Sequence, residues 1–208
     1  MTAPSPRERL LDAAETLFTE HGYAAVKLRD VATAAGLHHS SLYHHVPRGK
    51  AQLFTEAVER GLERHGRALR EAITAHAGDV RGELRAASAW VLGAPASNQS
   101  RLVHTDLSNL PDPLARDLAR HSWDALVVPL GEVLEAGAAR GEIQLQPGDA
   151  GLVGAALLAA LQGLRSAVAA FPVPGAGTRQ ADRLVEVLLD GLRPRPTPDT
   201  PGEGGGAR

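Results

Sequence analysis

Apolar residues recur at the three- and four-residue intervals of an α-helix in one segment after another, and glycine or proline separates the segments. The segment from Arg7 to His21 places Leu10, Leu11, Ala14, Leu17 and Phe18 on one face, with Gly22 as the expected helix end. Similar segments cover residues 28–35, 39–46, 50–76, 80–93, 101–109, 113–140, 149–171 and 178–192. The two-residue alternation of a half-buried strand is not sustained anywhere, so the chain is predicted to be all-α.

The composition supports helices and removes several classes of function. Hydrophobic residues make up 43% of the 208 residues but aromatic residues only 3%, so alanine, leucine and valine must fill the core. The chain has no cysteine, which excludes disulfides and thiol catalysis and weakens the case for a zinc site. The net charge of −2 gives no general electrostatic argument for binding nucleic acid, and any such argument must come from geometry.

The two ends of the chain and its most apolar stretch help to predict where in the cell the protein is located. The first residues contain no apolar segment of the kind that starts a secretory signal. The stretch 150–161 is too short for a membrane span and is expected to be a buried helix. We therefore expect a cytoplasmic protein without membrane contact. The tail 194–208 is rich in proline and glycine and is expected to be disordered.

The sequence LRDVATAAGLHHSSLYHHVPRGK, from Leu28 to Lys50, fits two short helices around a tight turn at Gly36. Ala32 is small where the two helices approach each other, and Leu37 and Leu42 are spaced to anchor the second helix on the first. Pro47 ends that second helix. This is the arrangement of a helix-turn-helix, whose second helix presents a polar face to the major groove of DNA.

From Arg7 to about Glu56 the chain resembles the TetR (tetracycline repressor) family of bacterial regulators. The resemblance rests on LFTEHGY, RDVATAAGL, SLYHHV and the Lys50-x-x-Leu53 that opens the next helix. SSLYHHVPRGKAQL is similar to a subgroup of drug- and flavonoid-responsive repressors carrying SLYHHFPGGK. The sequence departs from the family at Lys27 and His38, near positions where Ser or Thr usually caps a helix, and at Val46, where an aromatic residue is usual.

The resemblance implies two domains and a function. A three-helix helix-turn-helix DNA-binding domain is expected at 1–50 and a helical effector-binding and dimerisation domain at 51–193. The implied protein is a ligand-responsive homodimeric regulator, a repressor that a small hydrophobic effector releases from a palindromic double-stranded DNA operator. Effector binding would change the separation of the two DNA-binding heads through the 50–76 helix.

The predicted DNA contacts come from the second short helix and its neighbours. His38, His39, Ser40 and Ser41 stand at the front of the recognition helix, where base edges are reached. Tyr43 and His45 match family positions that touch phosphate, and Lys50 is expected to bind phosphate with the help of its helix dipole. Lys27 and Arg29 complete the predicted set. No metal or cofactor is predicted, because consecutive histidines on a helix point about 100° apart.

In the C-terminal half, the apolar 149–171 and 178–192 helices are expected to form a four-helix interface with a second copy, the alternative being that both belong to a monomer core. Polar or aromatic residues among apolar helices are the candidate effector contacts, although each could equally be core or surface. They are Trp90, His104, His121, Trp123, Gln162 and Arg165.

Two other classes of function compete with a regulator. An enzyme is disfavoured because the chain lacks a glycine-rich phosphate loop, a nucleophile elbow and a His-Glu-x-x-His sequence. The remaining alternative is a helical small-molecule-binding or interaction protein without DNA binding.

Overall fold

A computed structural model describes residues 4–38, 44–93, 110–171 and 176–194. The helices within these ranges are α1 Pro6–Ala25, α2 Leu28–Ala34, α3 Gly49–Thr74, α4 Val80–Gly93, α5 Asp112–Ser122, α6 Val128–Ala139, α7 Asp149–Ala170 and α8 Ala176–Gly191, with a π turn Trp123–Val127 between α5 and α6. These parts of the chain contain no strand, which confirms the all-α prediction. The predicted helix 101–109, residues 39–43 of the predicted recognition helix and residues 195–208 of the tail lie outside the described ranges.

Helix α1 begins at a capping box and runs past its predicted end. The Ser5 hydroxyl accepts a hydrogen bond from the Glu8 amide at 3.2 Å, and the Glu8 carboxylate accepts one from the Ser5 amide at 2.6 Å. The regular helix is broken at Gly22, where the sequence predicted a left-handed glycine, but helical residues continue beyond this kink to Ala25. Gly22 has φ 79° and ψ 167°, a conformation that is essentially restricted to glycine, so it redirects the chain without ending it.

Helix α2 and the turn after it follow the predicted pattern. Val31 and Ala32 are buried, and Gly36 adopts φ 65° at the turn. The Leu37 amide donates to the Ala32 carbonyl at 2.9 Å and closes the turn. No side chain caps the first turn at Lys27, but the Asp30 carboxylate accepts from the Lys27 amide at 3.2 Å and supplies half of a capping box.

Helix α3 is the longest described helix and joins the two halves of the chain. It runs without interruption across residues 50 and 51, which form the boundary between the two predicted domains. It packs against α1 near its start and against α4, α5 and the π turn further along. Its buried face includes Leu53, Phe54, Ala57, Val58, Leu62 and Leu69. Helix α3 therefore connects the helices of the two halves as one continuous element.

The predicted helix 113–140 is interrupted by the π turn Trp123–Val127. Pro129 has no amide hydrogen, so the Ala125 carbonyl four residues earlier has no α-helical donor. The Val128 amide instead donates to the Trp123 carbonyl, five residues back. The proline is the physical reason why a single uninterrupted α-helix does not form here.

Helix α7 is less buried than its composition predicts. Leu157, Leu158 and Leu161 are buried, but the Leu152 side chain is 69% exposed. By length and composition alone α7 is apolar enough to cross a membrane, and only 17% of its most apolar window is buried within this chain. Helix α8 is similar, with Val185 and Leu189 buried and Val187 57% exposed.

Candidate DNA-contact surface and effector site

The first two helices and the start of α3 share one small core. Phe18 and Phe54 meet edge to face with ring centroids 5.0 Å apart, and Tyr23 meets Phe54 at the same distance. Val46 is buried as well, so the smaller side chain still fills the position where an aromatic residue is usual. The other buried members are Leu10, Ala14, Val26, Val31, Ala32, Ala35 and Leu53.

The predicted DNA-contact residues divide into three groups. Lys27, Arg29 and His38 have exposed side chains, as a binding surface requires. His45 and Lys50 are half-buried. The predicted base-edge residues His39, Ser40 and Ser41, together with Tyr43, lie outside the described residues.

Lys50 bends back over the end of α1. Its Nζ donates to the Ala24 carbonyl at 3.3 Å and lies 4.4 Å from the centroid of the Tyr23 ring. Burial raises the pKa of the Tyr23 hydroxyl, so the ring beneath the ammonium stays neutral. Sequence reasoning missed Tyr23 as a part of this site, because residues 27 positions apart give no periodic signal.

Three ion pairs fasten α1 along α3. Arg7 pairs with Glu56 at 2.9 Å and Asp12 with Arg60 at 2.8 Å. Glu15 and Arg64 form the third pair one turn further on. The partners follow the same order along both helices, so α1 and α3 run side by side in the same direction.

A groove of about 470 Å³ lies between α3 and the segment formed by α5 and the π turn. The His121 Nδ1 atom lies 2.8 Å from the Glu59 carboxylate and joins the two walls. At Gly66 the backbones nearly touch, since an added Cβ would lie 3.0 Å from the Ala125 carbonyl oxygen. It is lined by both charged and apolar residues, which are Glu59, Leu62, Glu63, Gly66, Arg67, Arg70, His121, Asp124 and Ala125.

His121 is the one described effector candidate that lines this groove. Trp123 is 46% exposed, and its ring lies beside Gly151 of α7. Trp90 meets the His65 ring edge to face at 6.0 Å. His104 lies outside the described residues.

Of the two candidates on α7, Arg165 contacts α4. The Arg165 guanidinium donates to the Val91 carbonyl at 3.3 Å, and burial lowers the pKa of Arg165. Gln162, one turn earlier, is half-buried. Arg165 thus reaches the helix that carries Trp90, whereas Trp123 and His121 lie at other places in the fold. Within the described ranges, no three His, Cys, Asp or Glu side chains are grouped so that they could hold a metal ion.

Residues 10–57 match the family described as bacterial regulatory proteins, tetR family. The chain carries a TetR-family N-terminal domain. The match covers most of α1, all of α2 and the first turns of α3, and the matched range 10–57 contains every predicted DNA-contact residue.

Curated relatives match this chain over a short segment of their own length. A transcriptional repressor, KstR2 of Rhodococcus jostii, is 56% identical over 39 residues, which are 19% of this chain and 19% of the relative. The regulator LmrA of Bacillus subtilis is 40% identical over 63 residues, 30% of this chain and 34% of the relative. The aligned segments thus span about a fifth to a third of these relatives. Both are named as transcriptional regulators, in agreement with the non-enzymatic class predicted from the sequence.

The fold beyond the TetR-family domain is also matched among solved structures. A TetR-family transcriptional regulator from Agrobacterium tumefaciens superposes with a TM-score of 0.71 over 91% of this chain and 98% of its own, at 21% identity. At this identity the match shows the fold alone. It covers both the N-terminal domain and the C-terminal helices.

Proposed function

We propose that this chain is a cytoplasmic, homodimeric transcriptional regulator that represses genes by binding a palindromic operator and is released by a small hydrophobic effector. The main support for the proposal is that residues 10–57 match the TetR family. In the structure this segment includes most of α1, all of α2 and the start of α3. The name of the KstR2 relative supports repression as the outcome of binding. The narrower subgroup with SLYHHFPGGK stays a prediction.

In this proposal His38, His39, Ser40 and Ser41 read base edges, and the other contacts bind phosphate. Lys50 stands at the second position of the 26-residue helix α3, whose N-terminal amides and dipole favour an anion. A phosphate here would replace the Ala24 carbonyl as the acceptor for the Lys50 ammonium. The remaining proposed phosphate contacts are Lys27, Arg29, Tyr43 and His45.

A homodimer explains the incomplete burial of the last two helices. Leu152 of α7 and Val187 of α8 are largely exposed in one chain, and a second copy packed on the same faces would remove both from water. A dimer also supplies two recognition helices, which must lie about 34–36 Å apart to read two half-sites one duplex turn apart.

The effector is proposed to act through α3. This helix begins in the N-terminal domain and lines the groove that also contains His121, so a ligand that separates α3 from α5 would tilt the DNA-binding heads. Trp90, His104, Trp123, Gln162 and Arg165 remain the other proposed contacts. An effector that releases DNA must itself bind less tightly to the DNA-bound protein, because the coupling is reciprocal.

Sequencing of genomic fragments captured by the purified protein tests this function. We expect enrichment of short palindromic sites, with operator binding that weakens as salt is raised. The Lys50→Ala variant should bind every captured site more weakly and lower the slope of log K against log salt by about 0.9, the loss of one phosphate contact. Arg116→Ala, an exposed cation on α5, is the matched control and should bind as the unmodified protein does.

A protein that shows no salt-dependent DNA binding would instead be the alternative, a helical ligand-binding or interaction protein. Unchanged affinity and slope in Lys50→Ala would remove Lys50 from the contact set while leaving DNA binding intact.

A further inference from the structure

The chain contains only two lysines, Lys27 and Lys50, and they are held very differently. The Lys27 side chain is exposed, whereas that of Lys50 is half-buried and folded onto the end of α1. The second position of a helix is electrostatically poor for a cation, because the amides there carry partial positive charge. Something must therefore hold the Lys50 ammonium in place.

Groups at the end of α1 contact this ammonium. The Ala24 carbonyl belongs to the last turn of α1, where carbonyls lack helical donors, and it accepts from Lys50 Nζ at 3.3 Å. The face of the Tyr23 ring lies beneath the same ammonium, 4.4 Å from Nζ to the ring centroid, within the range of a cation–π interaction.

The ring is itself fixed by the core of the N-terminal domain. Tyr23 stands 5.0 Å from the Phe54 centroid and 6.2 Å from that of Phe18. The kink at Gly22 turns the chain immediately before Tyr23. The ring is therefore packed on the aromatic core and is not a fully exposed surface side chain.

We propose that Tyr23 is a positioning residue for DNA binding: its ring holds the Lys50 ammonium at the N-terminus of α3, ready for a backbone phosphate. This rests on the proposed function, since it needs Lys50 to contact DNA. Tyr23 touches no phosphate itself. It limits the orientations of a long side chain before binding, so that less freedom is lost when the phosphate arrives.

Nuclear magnetic resonance of protein labelled only in its lysines tests the first part. Two ε-methylene signals are expected, and the ring current of Tyr23 should shift the Lys50 signal upfield of the Lys27 signal. Tyr23→Phe keeps the ring and should keep the shift, whereas Tyr23→Leu keeps apolar volume and should lose it. Equal signals for Lys27 and Lys50 in the unmodified protein would overturn the proposal.

Binding to a random-sequence duplex at low salt tests the second part, because phosphate contact does not depend on base sequence. We expect Tyr23→Leu to weaken binding about two- to fivefold, the size of an exposed cation–π interaction, and Tyr23→Phe to keep the binding of the unmodified protein. Tyr23→Leu combined with Lys50→Ala should bind no more weakly than Lys50→Ala alone. Combined with Lys27→Ala, its effect should multiply.

Each outcome of the binding experiment is decisive. If the effects of Tyr23→Leu and Lys50→Ala multiply, Tyr23 acts only through the stability of the fold and the proposal is wrong. If Tyr23→Leu does not fold, Tyr23→Phe still tests the proposal. This variant keeps the aromatic ring, so the proposal requires it to bind DNA as tightly as the unmodified protein, and weaker binding would contradict it. If the unmodified protein binds no duplex at all, the proposed function fails, and this inference fails with it.

Discussion

Glu83 of α4 is a buried charged residue, with only 6% of its surface exposed to solvent. One oxygen accepts from the Gly78 amide at 3.0 Å and the other from the Arg140 guanidinium at 3.3 Å. Arg140 also pairs with Glu142, whose pKa the guanidinium and the Val80 amide lower. Glu83 thus ties the start of α4 to the end of α6.

We expect Glu83→Ala to lower the free energy of unfolding by about 2–3 kcal/mol, measured by urea denaturation. The change leaves the Gly78 amide without its acceptor and removes one of the two acceptors of Arg140. Arg140 keeps Glu142 and water, so the cost stays below that of a fully buried pair. Arg120→Ala is the control, since it breaks an exposed pair with Asp117 and should cost less than about 0.5 kcal/mol. Equal losses in the two variants would show that Glu83 is effectively solvated.

Helix α1 is held on α3 by apolar contacts and by three ion pairs. The free energies of these two kinds of contact decide which contributes more to stability. Phe18 is fully buried against Phe54. The ion pairs are partly exposed, with Asp12 and Arg60 side chains 56% and 37% accessible to solvent. Exposed pairs contribute little because water screens them and ordering the side chains costs entropy.

We therefore expect Phe18→Ala to cost about 3–5 kcal/mol and Asp12→Ala less than about 1 kcal/mol, by thermal or urea unfolding. The cost of Asp12→Ala should shrink further as salt is raised, whereas that of Phe18→Ala should not. A larger loss from Asp12→Ala than from Phe18→Ala would mean that the ion pairs, and not the aromatic core, hold α1 on α3.

For the whole molecule, the open faces of α7 and α8 determine the expected assembly. A helix as apolar as α7 cannot leave Leu152 in water without cost, and the proposed second copy would cover it. The same assembly would bring two N-terminal domains onto one duplex.

Leu152→Arg should convert a dimer into a monomer at micromolar concentration, as measured by light scattering after size exclusion. Burying an unpaired guanidinium in an apolar interface should raise the dissociation constant at least about 100-fold. Ala119→Arg, a similar change at an exposed position of α5, should leave the mass unchanged. A monomeric unmodified protein would contradict the proposed homodimer.

The helices with a continuous apolar face were predicted almost to the residue, because helical periodicity is local information. For α4 the predicted range 80–93 equals the observed Val80–Gly93. Errors appeared where backbone geometry departed from the regular helix. Gly22 kinks α1 where a helix end was predicted, and Pro129 produces a π turn within a predicted single helix. Both residues were visible in the sequence, but whether each ends, bends or widens a helix depends on what packs around it.

The order and spacing of apolar, glycine and small residues in 7–56 predicted α1, α2 and the turn at Gly36, because these features depend on residues that are close in the chain. The same local pattern carried the resemblance that the match of residues 10–57 supports. Only the tertiary structure placed Tyr23 under Lys50, joined His121 to Glu59 and separated the effector candidates among different places. Those contacts arise from the packing of whole helices against one another. The residues that meet there are far apart in the chain, so no regular spacing in the sequence predicts that they will be neighbours.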